Sequence, residues 1–149
     1  MRNFSIKKII PILVFAIVLI AAYFINVEVQ SYYGRQALEK ANLQNYTLED
    51  ALKKAEAENK LVLVDVSAIW CPNCRKLDNE VFANQEVKKF VNEKFVFSRL
   101  EYESAEGTEF LEKHNATGFP NLWLLDGKGN VVKKLQITFD PTEFLKQLK

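Results

Sequence analysis

The stretch Leu61-Val62-Leu63-Val64-Asp65-Val66-Ser67-Ala68-Ile69-Trp70-Cys71-Pro72-Asn73-Cys74 decides the fold. Its first six residues form a near-continuous apolar run of β-formers, as expected for a central strand covered on both faces, and one acid, Asp65, interrupts it. Pro72 suits the first turn of a helix, where its missing N–H is not needed, and a helical pattern runs on through Lys76 and Leu77 toward Val81. Two cysteines thus open a helix that follows a buried strand.

Their spacing carries the chemistry. Three residues apart at a helix start, Cys71 and Cys74 share one face and can bridge with little backbone movement. Unpaired N–H groups and the helix dipole favour a thiolate at Cys71, which makes it the attacking sulfur. Cys74, one turn further in, is expected to be more buried and protonated, which suits the thiol that resolves a mixed disulfide. A CxxC also fits half a zinc site or a structural staple. With only two cysteines and one histidine, His114, zinc would need carboxylates or a second chain. A staple closing so small a loop adds little stability. Redox exchange is the favoured reading, with no cofactor and no metal.

Outward from this stretch, Thr47 and Asp50 mark the start of a helix with Leu48, Ala51, Leu52 and Ala55 on one stripe, ending near Asn59. Asn84 caps a helix carrying Val87, Phe90 and Val91, and Phe95 to Leu100 reads as a second strand. Glu106 to His114 reads as a helix. Leu122 to Leu125 and Val131 to Leu135, joined by Asp126-Gly127-Lys128-Gly129-Asn130, read as a hairpin. Asp140-Pro141-Thr142-Glu143 opens a C-terminal helix. The order is α-β-α-β-α-β-β-α, in one domain over residues 45–149.

The N-terminus reads as a membrane anchor. From Ile9 to Ile25 no side chain is charged, which reaches the roughly 17 to 25 residues that span hydrocarbon as helix. Arg2, Lys7, Lys8 and the α-amino group precede it and Glu28 follows it, so the positive-inside bias keeps residues 1–8 in the cytoplasm, places 9–27 across the bilayer and exports the rest. A cleaved signal peptide is the competing reading, but Ile20 and Tyr23 flank Ala22 poorly as a cut site. Residues 28–44 read as a polar stalk with scattered apolar residues and partial helical character. With 20 Lys+Arg against 19 Asp+Glu, the chain lacks the basic excess that nucleic-acid binding needs.

The run from Leu63 to Cys74, followed by Gly118-Phe119-Pro120, resembles thioredoxins. Arg75-Lys76-Leu77, Glu80-Val81-Phe82, the Asn84 to Val87 step and Leu124-Leu125-Asp126-Gly127 resemble more closely the exported C-terminal thioredoxin-like domain of the interchange protein DsbD. The resemblance implies an α/β thioredoxin-like fold, a mixed sheet flanked by helices with a C-terminal hairpin and helix, and a dithiol that passes electrons to disulfides of exported proteins. It implies that Pro120 is cis, exposing the backbone of Phe119 beside Cys71 where a substrate strand can pair. It implies that Asp65 is a buried acid with a raised pKa that shuttles the proton of Cys74. Trp70 and Pro72 complete the expected substrate surface. Arg99 aligns with a basic residue near that acid in some thioredoxins, but reads here as a solvated surface side chain, and His114 as a helix-end residue outside the site.

Pro-Asn between the cysteines departs from the Gly-Pro common in thioredoxins, so the reduction potential does not carry over. Full-length DsbD also has a membrane-embedded redox module; a single span implies recharging by a membrane electron donor of the DsbD/CcdA type. Among rivals, DsbA-type oxidases insert a helical subdomain for which Cys74 to Pro120 has no room. A membrane-tethered copper carrier of the Sco type uses CxxxC, though soft thiolates can hold Cu(I).

Overall fold

The computed structural model describes residues 6–149. Arg2 and the α-amino group, on which the expected membrane orientation rests, lie outside them, as do the side chains of Lys7 and Lys8.

Four strands form one mixed sheet in the order β2-β1-β3-β4. β1 (Leu61–Ser67) runs parallel to β2 (Phe95–Glu101) and antiparallel to β3 (Asn121–Leu125), which pairs antiparallel with β4 (Val131–Leu135). The apolar run predicts a strand covered twice, and all of β1 after Leu61 is buried. Strand alternation then sorts its side chains. Val62, Val64 and Val66 pack with Val96, Leu100, Trp123 and Leu125 against α2 (Leu48–Glu58) and α5 (Ala105–Lys113). Leu63, with Phe97, Leu122 and Leu124, faces the opposite side, beneath α3 (Pro72–Leu77), α4 (Gln85–Lys94) and α6 (Pro141–Leu148). Asp65 falls on this second side.

The second layer is closed by Phe82, whose ring meets Phe97 and Phe144 edge-on at 5.5 and 5.7 Å. Truncating such a residue costs about 3 to 5 kcal/mol. Phe82 lies in a π-helical turn (Asp78–Phe82) that continues α3, a wider turn that shifts the helix register just past the cysteines. Helix starts are held as their cap residues predict: Thr47 accepts from the Asp50 N–H, Asn84 from Glu86 and Val87, and Asp140 from Thr142 and Glu143. The β3–β4 turn is fastened by the Asp126 carboxylate, which accepts from the N–H groups of Lys128 and Asn130, while Gly129 supplies φ +82°.

The segment before the domain, expected as a partly helical stalk, is helical to Ala41. One continuous helix, α1, runs from Ile6 to Ala41. Its first half presents exposed apolar residues from Ile10 to Ile25, and it is the one helix among the described residues long and apolar enough to cross a membrane. Its second half lies on the domain. Ser31, Gly34, Ala37 and Ala41 are buried, at spacings that keep one helical face inward. A Cβ on Gly34 would sit 1.9 Å from the Ile69 carbonyl oxygen, so only glycine permits this approach. Small residues scattered through a polar segment have no apolar periodicity, which is why the docking is invisible to hydrophobic patterning.

Candidate functional site

Cys71 is the N-cap of α3, with extended backbone (φ −77°, ψ 122°), and Pro72 is the first residue inside. This geometry follows from the local sequence: proline's fixed φ starts the turn, and the residue before it is held extended. The Cys74 N–H donates to Cys71 Sγ at 3.1 Å, so one of the unpaired amides of the helix start is directed at the first sulfur. Both cysteines are free thiols and both are buried, at 5% and 1% exposure. Cys71 is the slightly more exposed of the two.

Around Cys71 the surroundings are aromatic. Ala68, Trp70, Tyr102 and Phe119 pack with the two sulfurs. Trp70 meets Phe119 edge-on at 5.3 Å, and Tyr102 lies 4.4 Å from Phe119. The Trp70 indole N–H donates to Glu103 at 3.2 Å, which fixes the ring over the rim. The Phe119–Pro120 peptide bond is cis. Gly118 precedes it at φ +74°, and Asn121 donates its side-chain amide to the carbonyls of Thr117 and Gly118, holding the loop against the cysteines. Trp70 and Phe119 therefore share one rim with Cys71, with Pro72 next to Cys71 and Pro120 next to Phe119 in the chain.

Beneath Cys74 the surroundings are charged. Asp65 is fully buried and accepts from the Ser67 hydroxyl. Arg99 lies directly across the parallel ladder, Asp65 being its register partner, and its guanidinium is 3.3 Å from Asp65 and 2.7 Å from Asp78. Arg99 is thus not a solvated surface residue, as its sequence position suggested: strand alternation turns it inward with Phe95 and Phe97, and two buried acids hold it there. One guanidinium between two carboxylates leaves a surplus negative charge. Burial accordingly pushes Asp65 upward, against the opposing pull of Arg99 and Ser67. Asp78 is pushed up by burial to about 6, Arg99 pulling down and Asp65 pushing up. The Cys74 thiol is raised well above its ordinary value, first by burial, then by its hydrogen bond with Cys71, with the nearby Asp65 charge adding to the effect. Asp65 Oδ2 faces the Arg99 guanidinium at 3.3 Å, and the Asp65 charge is close enough to be felt at Cys74, so the inner thiol and a buried carboxyl group share one electrostatic environment.

Asp78 was not among the residues singled out by the sequence, though it stands four after Cys74, one helical turn on and on the same face. His114 caps the end of α5, 5.4 Å from the Trp123 ring on the far layer. Among the described residues no group of three or more His, Cys, Asp or Glu is placed to hold a metal ion.

The profile of the thioredoxin-like domain matches residues 48–149. Thiol:disulfide interchange protein DsbD of Colwellia psychrerythraea is 29% identical over 93 residues, covering 61% of this chain and 15% of that protein. The DsbD of Yersinia pestis is 28% identical over 98 residues, 64% of this chain and 16% of its own length. The chain thus spans about a sixth of these curated relatives. Among solved structures, a candidate disulphide-isomerase from Bacteroides thetaiotaomicron is similar at 33% identity and TM-score 0.62, over 71% of this chain and 88% of that one. A Thermus thermophilus thioredoxin is similar at 27% identity and TM-score 0.64, over 71% and 84%. The DsbD C-terminal domain of Neisseria meningitidis, at 19% identity, TM-score 0.59 and coverage of 70% and 97%, shares the fold.

Proposed function

The chain belongs to the thioredoxin-like domain family, and from that premise we propose that it is a membrane-anchored, extracytoplasmic thiol–disulfide oxidoreductase with Cys71 and Cys74 as its redox pair. The observation that carries the reading is the asymmetry of the two thiols: Cys71 caps a helix at an aromatic rim, and Cys74 lies behind it over a buried acid. The Cys71 thiolate attacks one sulfur of a partner disulfide, and the other leaves as a thiolate that takes up a proton. Asp65 accepts the proton of Cys74, whose sulfur then attacks Cys71 Sγ and releases the second partner thiol. Two electrons pass to the partner, and a Cys71–Cys74 disulfide remains. Trp70, Pro72, Phe119 and Pro120 form the surface on which the partner strand lies.

Residues 9–27 are the membrane span, with residues 1–8 cytoplasmic and the domain of residues 45–149 outside the inner membrane, where disulfides persist. The kinship with DsbD supports this placement and points to two partner classes: disulfide-containing exported proteins, and a membrane electron donor that restores the dithiol. The test is Cys74→Ser in the full chain. It should accumulate mixed disulfides through Cys71, cleared by added dithiol, and the wild type should reduce a model protein disulfide. Failure of both, with the domain folded, would sink the proposal.

A further inference from the structure

Because α1 is unbroken from Ile6 to Ala41 and its second half is docked, the domain cannot swing freely from its anchor. The docking passes beside the redox loop. Gly34 touches the Ile69 carbonyl, Gln30 accepts from the Arg75 guanidinium at 2.7 Å, and that guanidinium lies 5.6 Å from the Tyr33 ring. One cleft of about 250 Å³ is lined jointly by Tyr23, Asn26, Val27 and Gln30 of α1 and by Trp70 and Pro72 of the redox loop. Tyr23, Asn26 and Val27 are the outer end of the apolar segment itself.

The lengths leave little slack. Residues 9–27 rise about 28 Å as helix, close to the roughly 30 Å of hydrocarbon they must cross. The headgroup layer adds about 5 to 7 Å on each side, four or five helical residues. Gln30, three residues beyond Val27, falls at headgroup depth while Tyr23, Asn26 and Val27 occupy the last turn of the span, so the cleft straddles the boundary between hydrocarbon and headgroups, with Trp70 and Pro72 lining it there. Tryptophan and tyrosine are the side chains that favour this depth.

Resting on the oxidoreductase reading above, we infer that α1 holds the Cys71 rim at the bilayer surface, so that the disulfides it exchanges with are those an integral membrane protein presents there. A flexible stalk would let the dithiol sample exported proteins at any height; a docked helix does not. The exchange is the one already written, with partner disulfide reduced to dithiol and Cys71–Cys74 oxidised to disulfide.

The full chain in phosphatidylcholine–phosphatidylglycerol vesicles tests this in two ways. In Trp123→Phe, which removes the buried indole of the far layer and leaves Trp70 as the reporter, a nitroxide at the headgroup should quench fluorescence at least twofold more than one at the acyl terminus. In the unmodified chain, a disulfide peptide anchored to lipid by a short linker should react at least tenfold faster than the same peptide on a long linker. Trp70 untouched by either nitroxide, or equal rates on the two peptides, overturns the inference while leaving the oxidoreductase reading in place. Headgroup quenching without reaction on either peptide upholds the placement and overturns the reading of function.

Discussion

Cys71 and Cys74 are one helical turn apart and share one apolar cluster, yet they stand between two contrasting regions of the molecule. The first ends in a rim of Trp70, Tyr102 and Phe119, apolar and open on one side. The second sits over Asp65, Arg99 and Asp78, ionic and closed. The difference comes from the sheet. β1 delivers Asp65 to the side where α3 lies, β2 delivers Arg99 beside it in register, and the loop before β3 brings Phe119 to the opposite lip. Two identical thiols thereby acquire unequal surroundings from backbone parity together with the helix start that Pro72 sets.

The largest effect should come from the open side. Cys71→Ser should abolish disulfide reduction, with a loss of at least 10⁴-fold in steady-state assay, whereas Cys74→Ser should retain a first attack measurable as stoichiometric adduct. If both variants fail at that first step, the two regions do not divide the labour. Next is the cation of the closed side, Arg99. Arg99→Gln leaves two buried acids without a counter-charge and should lower unfolding free energy by about 3 to 5 kcal/mol in urea titrations; a change below about 1 kcal/mol would mean that the cluster is solvated.

The acids sharpen the contrast further. Asp78 binds its proton more tightly folded than unfolded, since its folded value of about 6 exceeds the ordinary value near 4. Its stabilising contribution is therefore full below about pH 4 and lost as pH rises through about 6. That loss amounts to up to about 3 kcal/mol, and Asp78→Asn should give a flatter stability profile over this window. Asp65→Asn should have the smallest effect, slowing release of the mixed disulfide about 10- to 100-fold near neutrality while sparing the first attack; stopped-flow kinetics separate the two steps.

What the sequence discloses depends on whether a residue's role is local. Thr47, Asn84 and Asp140 cap helices through neighbours two or three positions on, so their function is legible in a short window. The Cys71-Pro72 start is of the same kind. Arg99 is different: its partners are Asp65 and Asp78, and only the pairing of β1 with β2 brings the three together. A reading that carries alternation along β2 from Phe95 and Phe97 would have turned Arg99 inward, and helical spacing from Cys74 would have found Asp78. Docking of α1 is harder still, because Ser31, Gly34, Ala37 and Ala41 contribute closeness rather than hydrophobic contrast.

The turn that follows α1 has a second duty. Asn45 bridges to Phe97 and the Tyr46 N–H donates to the Phe97 carbonyl, while the Asn45 side chain accepts from the Arg99 N–H. These few bonds occupy the outer margin of β2, the margin where a foreign strand would otherwise zip on. On the far margin, β4 carries Lys133 and Lys134, charges that discourage such stacking. Protection against polymerisation is thus asymmetric: one margin is guarded by composition, the other by a segment tethered directly to α1, so prising that helix away would unmask a sticky edge and invite fibrous self-association.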